Sequence, residues 1–229
     1  MTRAPQPAAR PAAVIFDMDG LMLDTERLGE RTWESASHAT GIEFDLRLLS
    51  TMIGRNHRDT HAALVAHYGD TYPAEKLLAA CRVAFDEIVA SEGIELKAGL
   101  VELLDWLDAN GIARAVATST RRERAVAQLT RLGLYPRFAT LVGGDEIANG
   151  KPAPDIFVEA AARLRVPRDE CVVLEDSEPG VRAAIAAGIA PIMVPDLHAP
   201  SPDLLLMEPL VMASLHDVRS YLGQLARMR

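Results

Sequence analysis

The stretch AAVIFDMDG, residues 12–20, runs from a short apolar block into two aspartates one residue apart and a glycine. Its first part is partly β-branched and ends at a polar turn, which predicts a buried strand over residues 12–16. Asp17, Asp19, Gly20 and Asp24 then follow within eight residues. An edge this abrupt, at the end of a strand, is where binding and catalytic residues concentrate.

Working outward, similar apolar runs recur as RAVATS (114–119), FATLVGG (138–144), CVVLED (171–176) and APIMVP (190–195). Helical patterns separate them. GLVELLDWLDANG places Leu100, Leu103, Leu104 and Leu107 on one face and ends at Gly111. RERAVAQLTRLG ends at Gly133, PDIFVEAAARLR follows, and PGVRAAIAAG is bracketed by Pro179 and Gly188. Strands alternating with helices of this length imply an α/β fold, a doubly wound, Rossmann-like parallel sheet covered on both faces. Residues ~25–92 break the rhythm with three helical patterns and no strand, as an inserted α-helical domain would. The joints fall near Asp24–Arg27 and Ser91–Ala98. The expected division is a loose Pro- and Ala-rich tail at 1–11, a core made of 12–24 and 96–229, and a helical cap at 25–95.

Bulk properties exclude several functions. A net charge of −8 offers no broad basic field for nucleic acid. No run approaches the ~20 apolar residues that span a bilayer. Two cysteines, Cys81 and Cys171, are too few for a disulfide scaffold, and Cys171 opens an apolar strand. With no apolar N-terminal stretch of signal-peptide type, the expected setting is the cytoplasm. The default oligomeric state is a monomer.

In open parallel sheets ligands bind beyond the carboxyl ends of the strands. Asp17 and Asp19, Thr118 and Ser119, Asp145, and Glu175 with Asp176 all occupy such ends, and Lys151 lies in the loop after the third strand. A cluster of Asp17, Asp176 and Glu175 would repel itself without a cation. Oxygen ligands with no nearby His or Cys favour Mg²⁺. Thr118, Ser119 and Lys151 supply a hydroxyl, a backbone N–H and an ammonium, a set that fits phosphate. Together these describe a phosphoryl-transfer site. One aspartate attacks phosphorus, and the other, protonated, donates to the leaving oxygen and later deprotonates water. GDEIANGKP is no nucleotide P-loop, because five residues separate its glycines and proline follows the lysine.

FDMDGLMLDT, VATST, GKPAPDIF and VLEDSEPGV resemble, in order, the four motifs of the haloacid dehalogenase-like hydrolases. The likeness is to the phosphatase and phosphomutase branch with a helical cap after the first motif. It covers nearly the whole chain after about residue 12. The resemblance implies Asp17 as nucleophile, through an aspartyl-phosphate, and Asp19 as general acid/base that also gives its backbone carbonyl to Mg²⁺. It implies Thr118 and the Ser119 amide on the phosphoryl oxygens, Lys151 between Asp17 and the phosphate, and Asp176 with Glu175 on Mg²⁺. Similar β-phosphoglucomutases carry a histidine about ten residues after the second aspartate, where this chain has Gly29. That favours a phosphatase of small phosphorylated metabolites such as sugar phosphates over a sugar phosphomutase, and the intact motifs disfavour a non-catalytic binding protein. In the cap, MIGRNHRDTH (52–61) resembles the loop that covers the leaving group, with Arg55 and Arg58 as substrate contacts. Glu26 and Trp33 lie near the first hinge, and Trp33 is expected to pack within the cap. Two hinges should let the cap open and close.

Overall fold

The computed structural model describes residues 2–7 and 9–227. β1 (Ala13–Phe16) is buried along its whole length. It lies inside a six-stranded parallel sheet with β2 (Ala113–Thr118), β3 (Thr140–Gly143), β4 (Cys171–Glu175), β5 (Ala190–Met193) and β6 (Leu210–Val211), in the order β3-β2-β1-β4-β5-β6. Ile15 pairs with Ala115 on one side and Val173 on the other. Successive side chains leave a strand on opposite faces. Ala13 and Ile15 therefore join Ala115, Ala117 and Val173 in one core cluster, while Val14 and Phe16 join Val116, Val172 and Leu174 in another. Both faces need cover, which is why the strands read as unbroken apolar runs.

The helices supply that cover. α5 (Leu100–Ala109), α6 (Arg122–Arg131) and α10 (Leu215–Leu225) pack the Phe16 face, and α7 (Asp155–Leu164) and α8 (Glu178–Ala187) pack the Ile15 face. Full burial of each large aliphatic or aromatic side chain contributes about 1.5–3 kcal/mol. Anchored on both faces, the sheet holds its carboxyl edge fixed, and that edge carries the site. The sheet also has a sixth strand, β6, beyond the five apolar runs of the sequence. The short helix α9 (Pro202–Leu205) and α10 flank it.

Between β1 and α5 stand four helices, α1 (Glu26–Thr40), α2 (Leu49–Met52), α3 (His57–Tyr68) and α4 (Ala74–Glu92). They share a separate apolar cluster around Trp33, Met52, Leu64 and Leu77, and Trp33 stacks on Phe44 at 4.2 Å between centroids. The chain enters and leaves this cap through segments that pair with each other. The Asp24 N–H donates to the Glu95 carbonyl, and the Lys97 N–H donates to the Met22 carbonyl, both at 2.9 Å. Lys97 Nζ also bonds Asp196 Oδ1 in the loop after β5 at 2.5 Å.

The segment expected to be a loose tail has no helix or strand among its described residues, but it is anchored at Ala4. Its small side chain fits among Val181, Ile185, Met193, Leu204 and Met207, and its N–H donates to the Met207 carbonyl at 2.7 Å. Met1 and Ala8 of that tail, and Met228 and Arg229 of the expected core, lie outside the described residues. Among the described residues no helix is long and apolar enough to cross a membrane.

Candidate active site

The carboxyl ends of β1, β2 and β4 bring Asp17, Thr118 and Glu175 to one edge, with Asp176 just beyond Glu175. Lys151 reaches the same point from the loop before α7. Its ammonium bonds Asp17 Oδ1 and, at 2.6 Å, Glu175 Oε1, and donates to the Ala117 carbonyl at 3.3 Å. Both its partners and Lys151 itself are almost wholly excluded from solvent. The second Glu175 oxygen accepts from the Ser177 N–H at 2.9 Å and the Ser177 hydroxyl at 2.8 Å. Glu175 is thus fully bonded and fixed, a requirement for a carboxylate this deep.

Charge at this point does not cancel. Carboxylate oxygens of Asp17, Glu175 and Asp176 lie within 4.8 Å of one another, against the single ammonium of Lys151. Burial, then the charges of Glu175 and Asp17, push Asp176 well above the usual carboxylate range. Asp17 is raised likewise, first by burial, with Lys151 opposing and Glu175 and Asp19 adding to the rise. Burial works against the Lys151 charge, but Asp17 and Glu175 outweigh it and hold the ammonium protonated beyond the ordinary lysine value. Three oxygen donors in surplus over one cation, without His or Cys, suit a hard divalent ion. No other group of three or more such side chains with this geometry exists among the described residues.

Asp19 stands apart from the acid trio. Its carboxylate accepts from Thr25 Oγ1 at 3.0 Å, Thr120 Oγ1 at 2.8 Å and Thr118 Oγ1 at 3.4 Å. Three hydroxyls therefore aim it into a chamber of about 220 Å³ that Asp17, Gly54, Arg55 and Asp176 also line. The two aspartates of the FDMDG stretch occupy one small space in different surroundings, Asp17 beside an ammonium and Asp19 among hydroxyls. Thr25 and Thr120 are partners that sequence reasoning missed. Thr25 falls within the expected hinge, and only the fold shows that the hinge borders the chamber. Glu26, next along, hydrogen-bonds Asp176, and its carboxyl is pushed up to about 7 by burial and by Asp196.

α6 begins at Arg122 with no side-chain cap from its N-cap residue Arg121, and Asp145 Oδ1 accepts the Arg122 N–H at 2.8 Å. Asp145 is therefore used at the helix start and does not join the reactive cluster. Ser119 turns its hydroxyl to the Gly54 carbonyl of the cap at 2.6 Å. Arg55 lines the chamber directly, whereas Arg58 is exposed and lines the outer cleft and a second outer pocket but not the chamber.

That outer cleft is large, about 880 Å³, but neither Asp17 nor Asp19 lines it. Its wall mixes acids such as Glu178 and Asp196 with cations such as Arg182. A smaller alcove of about 310 Å³ shares Arg55, Ser119 and Thr120 with the chamber. Its wall carries Arg55, Arg82, Arg121, Arg124 and the imidazole of His57, with no carboxylate. Glu75, Asp86 and Asp145, which pair three of these arginines, stand outside the alcove wall. Those pairs offset much of the positive charge, and Arg55, at the wall shared with the chamber, is the alcove arginine with no carboxylate partner among the described residues.

Fold and site together define a phosphoryl-handling α/β hydrolase with a helical cap. The chain belongs to the haloacid dehalogenase-like hydrolase family, whose profile matches residues 11–188. It is 35% identical over 178 residues to the phosphorylated carbohydrates phosphatase of Thermotoga maritima, covering 77% of this chain and 82% of that protein. A variant of CbbY from Rhodobacter sphaeroides, solved with xylulose-(1,5)bisphosphate, has a similar structure. Its TM-score is 0.77 at 26% identity, covering 90% of this chain and 95% of the other. A Thermotoga maritima structure assigned provisionally as a β-phosphoglucomutase gives a TM-score of 0.73 at 29% identity, over 93% and 98% of the two chains.

Proposed function

We propose that this protein is a Mg²⁺-dependent phosphatase of small phosphorylated metabolites, sugar phosphates above all, acting as a cytoplasmic monomer. The observation that carries the reading is the buried Lys151–Asp17 pair beside Glu175 and Asp176, with Asp19 facing the same chamber. In this reading Asp17 attacks phosphorus and becomes an aspartyl-phosphate. Asp19 gives a proton to the leaving oxygen and later takes one from water. Thr118 and the Ser119 N–H hold the phosphoryl oxygens, and Lys151 neutralises charge between Asp17 and the phosphate. Asp17, Asp176 and the Asp19 backbone carbonyl would hold Mg²⁺, with Glu175 a direct or water-mediated partner, and the ion would supply a positive centre against the developing charge.

Phosphate transfer to water is favoured over mutase chemistry at Gly29. A side chain there would point toward Leu49, whose Cδ2 lies 3.6 Å from where a β-carbon would stand, and glycine offers no imidazole to activate a sugar hydroxyl. Arg55, at the wall shared by chamber and alcove, favours leaving groups that carry a second anion or several hydroxyls. The bisphosphate held by CbbY supports the same substrate class.

The direct test is phosphate release over a panel of sugar phosphates, sugar bisphosphates and nucleotides, with Mg²⁺ and with chelator. Release that needs Mg²⁺ and is strongest on sugar phosphates is expected, whereas isomerisation without release would overturn the reading. On the best substrate, Arg55→Ala is expected to raise KM about tenfold, the effect of losing one charged hydrogen bond worth ~1.5 kcal/mol. An unchanged KM would remove Arg55 from the substrate site.

The raised carboxyls give a metal-dependent pH signature. Asp17 and Asp176 titrate higher in the folded chain than in the unfolded one. Their contribution to stability is therefore full below the ordinary carboxylate value and is lost as pH rises through the folded values. Mg²⁺ favours the ionised forms, so its stabilisation should grow with pH. Melting temperatures measured with and without Mg²⁺ should differ more at pH 7.5 than at pH 5.5. The opposite order would place the ion elsewhere.

A further inference from the structure

The cap loop meets the core at three positions, and each is the immediate neighbour of a residue in the reaction. Ser119 donates its hydroxyl to the Gly54 carbonyl at 2.6 Å and follows Thr118. Ser177 follows Asp176, and its Oγ lies 2.8 Å from where a Gly54 β-carbon would stand. Gly150 precedes Lys151, and a β-carbon there would overlap Asn56 Nδ2 and Asp59 Oδ2. Asn56 is the N-cap of α3, accepting the Asp59 N–H at 2.9 Å. The first turn of a cap helix thus presses on the glycine beside the buried lysine.

We propose that residues 54–59 form a seat that registers cap closure on the catalytic residues, with the Ser119 hydroxyl and Gly150 as positioning residues. The inference rests on the phosphatase reading and extends it to how the closed state is recognised. The seat covers the neighbours of Thr118, Lys151 and Asp176 at once, so a misplaced cap cannot satisfy one contact and leave the others. It also fixes Arg55, which lies between Gly54 and Asn56, at the wall shared by chamber and alcove. Ser177 carries the contact inward, since both its N–H and its hydroxyl bond the Glu175 oxygen that does not face Lys151. A displacement of about 1 Å in such a site can cost on the order of 100-fold in rate.

Gly150→Ala tests this. The backbone at Gly150 does not adopt the left-handed conformation, so alanine fits the chain, and the nearest atoms its methyl meets belong to the cap side chains Asn56 and Asp59. The expected result is a fall in kcat of about tenfold or more, with the Mg²⁺-induced rise in melting temperature kept. Hydrogen exchange at the amides of residues 54–59 should rise in parallel. Adding Asn56→Ser and Asp59→Ala should restore both, because serine keeps the N-cap acceptor of α3 while the two shortened side chains make room. Ser119→Ala should lower kcat several-fold and raise exchange at the same amides.

Wild-type kcat and exchange in Gly150→Ala would overturn the proposal. So would a slow Gly150→Ala enzyme that the two cap substitutions do not rescue, since the damage would then be local to Lys151. If the wild-type protein released no phosphate from any substrate, the phosphatase reading would fall separately. Exchange at residues 54–59 would then decide the seat, supporting it if Gly150→Ala raises exchange and the cap substitutions reverse it, and overturning it otherwise.

Discussion

Replacing Asp17 by asparagine is expected to abolish phosphate release and, at the same time, to stabilise the metal-free protein at neutral pH. The first effect follows from the proposed role. An amide has no carboxylate to form the aspartyl-phosphate, and loss of an essential nucleophile costs about 10⁴-fold or more. The second follows from the environment. Burial, Glu175 and Asp19 together make an ionised Asp17 unfavourable in the folded chain, although Lys151 opposes them. An isosteric amide carries none of that cost, and Lys151 keeps its bond to Glu175. For a chain of this size each kcal/mol relieved raises the melting temperature by about 2–4 °C. Steady-state phosphate release and thermal unfolding at pH 7.5 without metal check both. Turnover equal to wild type would remove Asp17 as nucleophile. A lower melting temperature would mean that the acid cluster is not under the repulsion its geometry implies.

The second large effect is expected at Lys151. Lys151→Met takes the only ammonium from a pocket where Asp17, Glu175 and Asp176 crowd together. Breaking a buried pair by removing one partner typically costs about 3–5 kcal/mol, because the remaining charge is stranded. The carboxyls must then take up protons to stay buried, so the variant should regain stability as pH falls from 7.5 to 5.5, by more than wild type does. Mg²⁺ should restore part of the loss at pH 7.5. Activity should fall about 10²–10³-fold even where the protein stays folded, the usual cost of losing one preorganised electrostatic donor. Urea unfolding at the two pH values, with and without Mg²⁺, is the measurement. A variant as stable as wild type at pH 7.5 would contradict the charge balance described here.

Much of this was legible in the sequence, for reasons that differ from part to part. β1 to β5 announced themselves because a strand covered on both faces has no room for polar alternation. β6 has two residues, Leu210 and Val211, and no run that short can be read by periodicity. The signal for α10 was present, with Leu215, Val218, Leu222 and Leu225 at helical spacing and Ser214 accepting the Asp217 N–H as its cap. The acid trio and Lys151 could be placed because strand ends converge by topology alone. Thr25, Thr120 and the two seat glycines could not. Their importance lies in which loop of the cap meets which loop of the core, and residues 54 and 150 are brought together only by tertiary docking.

The paired entry and exit of the cap bear on how such an enzyme can change. Leu23 and Leu96 form an antiparallel bridge, and hydrogen bonds flank it on both sides. To the sheet, the whole insertion therefore looks like a single closed loop. The entropy of closing a loop grows only with the logarithm of its length, about 0.6 kcal/mol for each doubling. A longer, shorter or wholly different helical module could be grafted onto the same clasp at little thermodynamic cost to the sheet. The reaction would stay with the strands, while the repertoire of molecules admitted to it could be rewritten in one modular exchange.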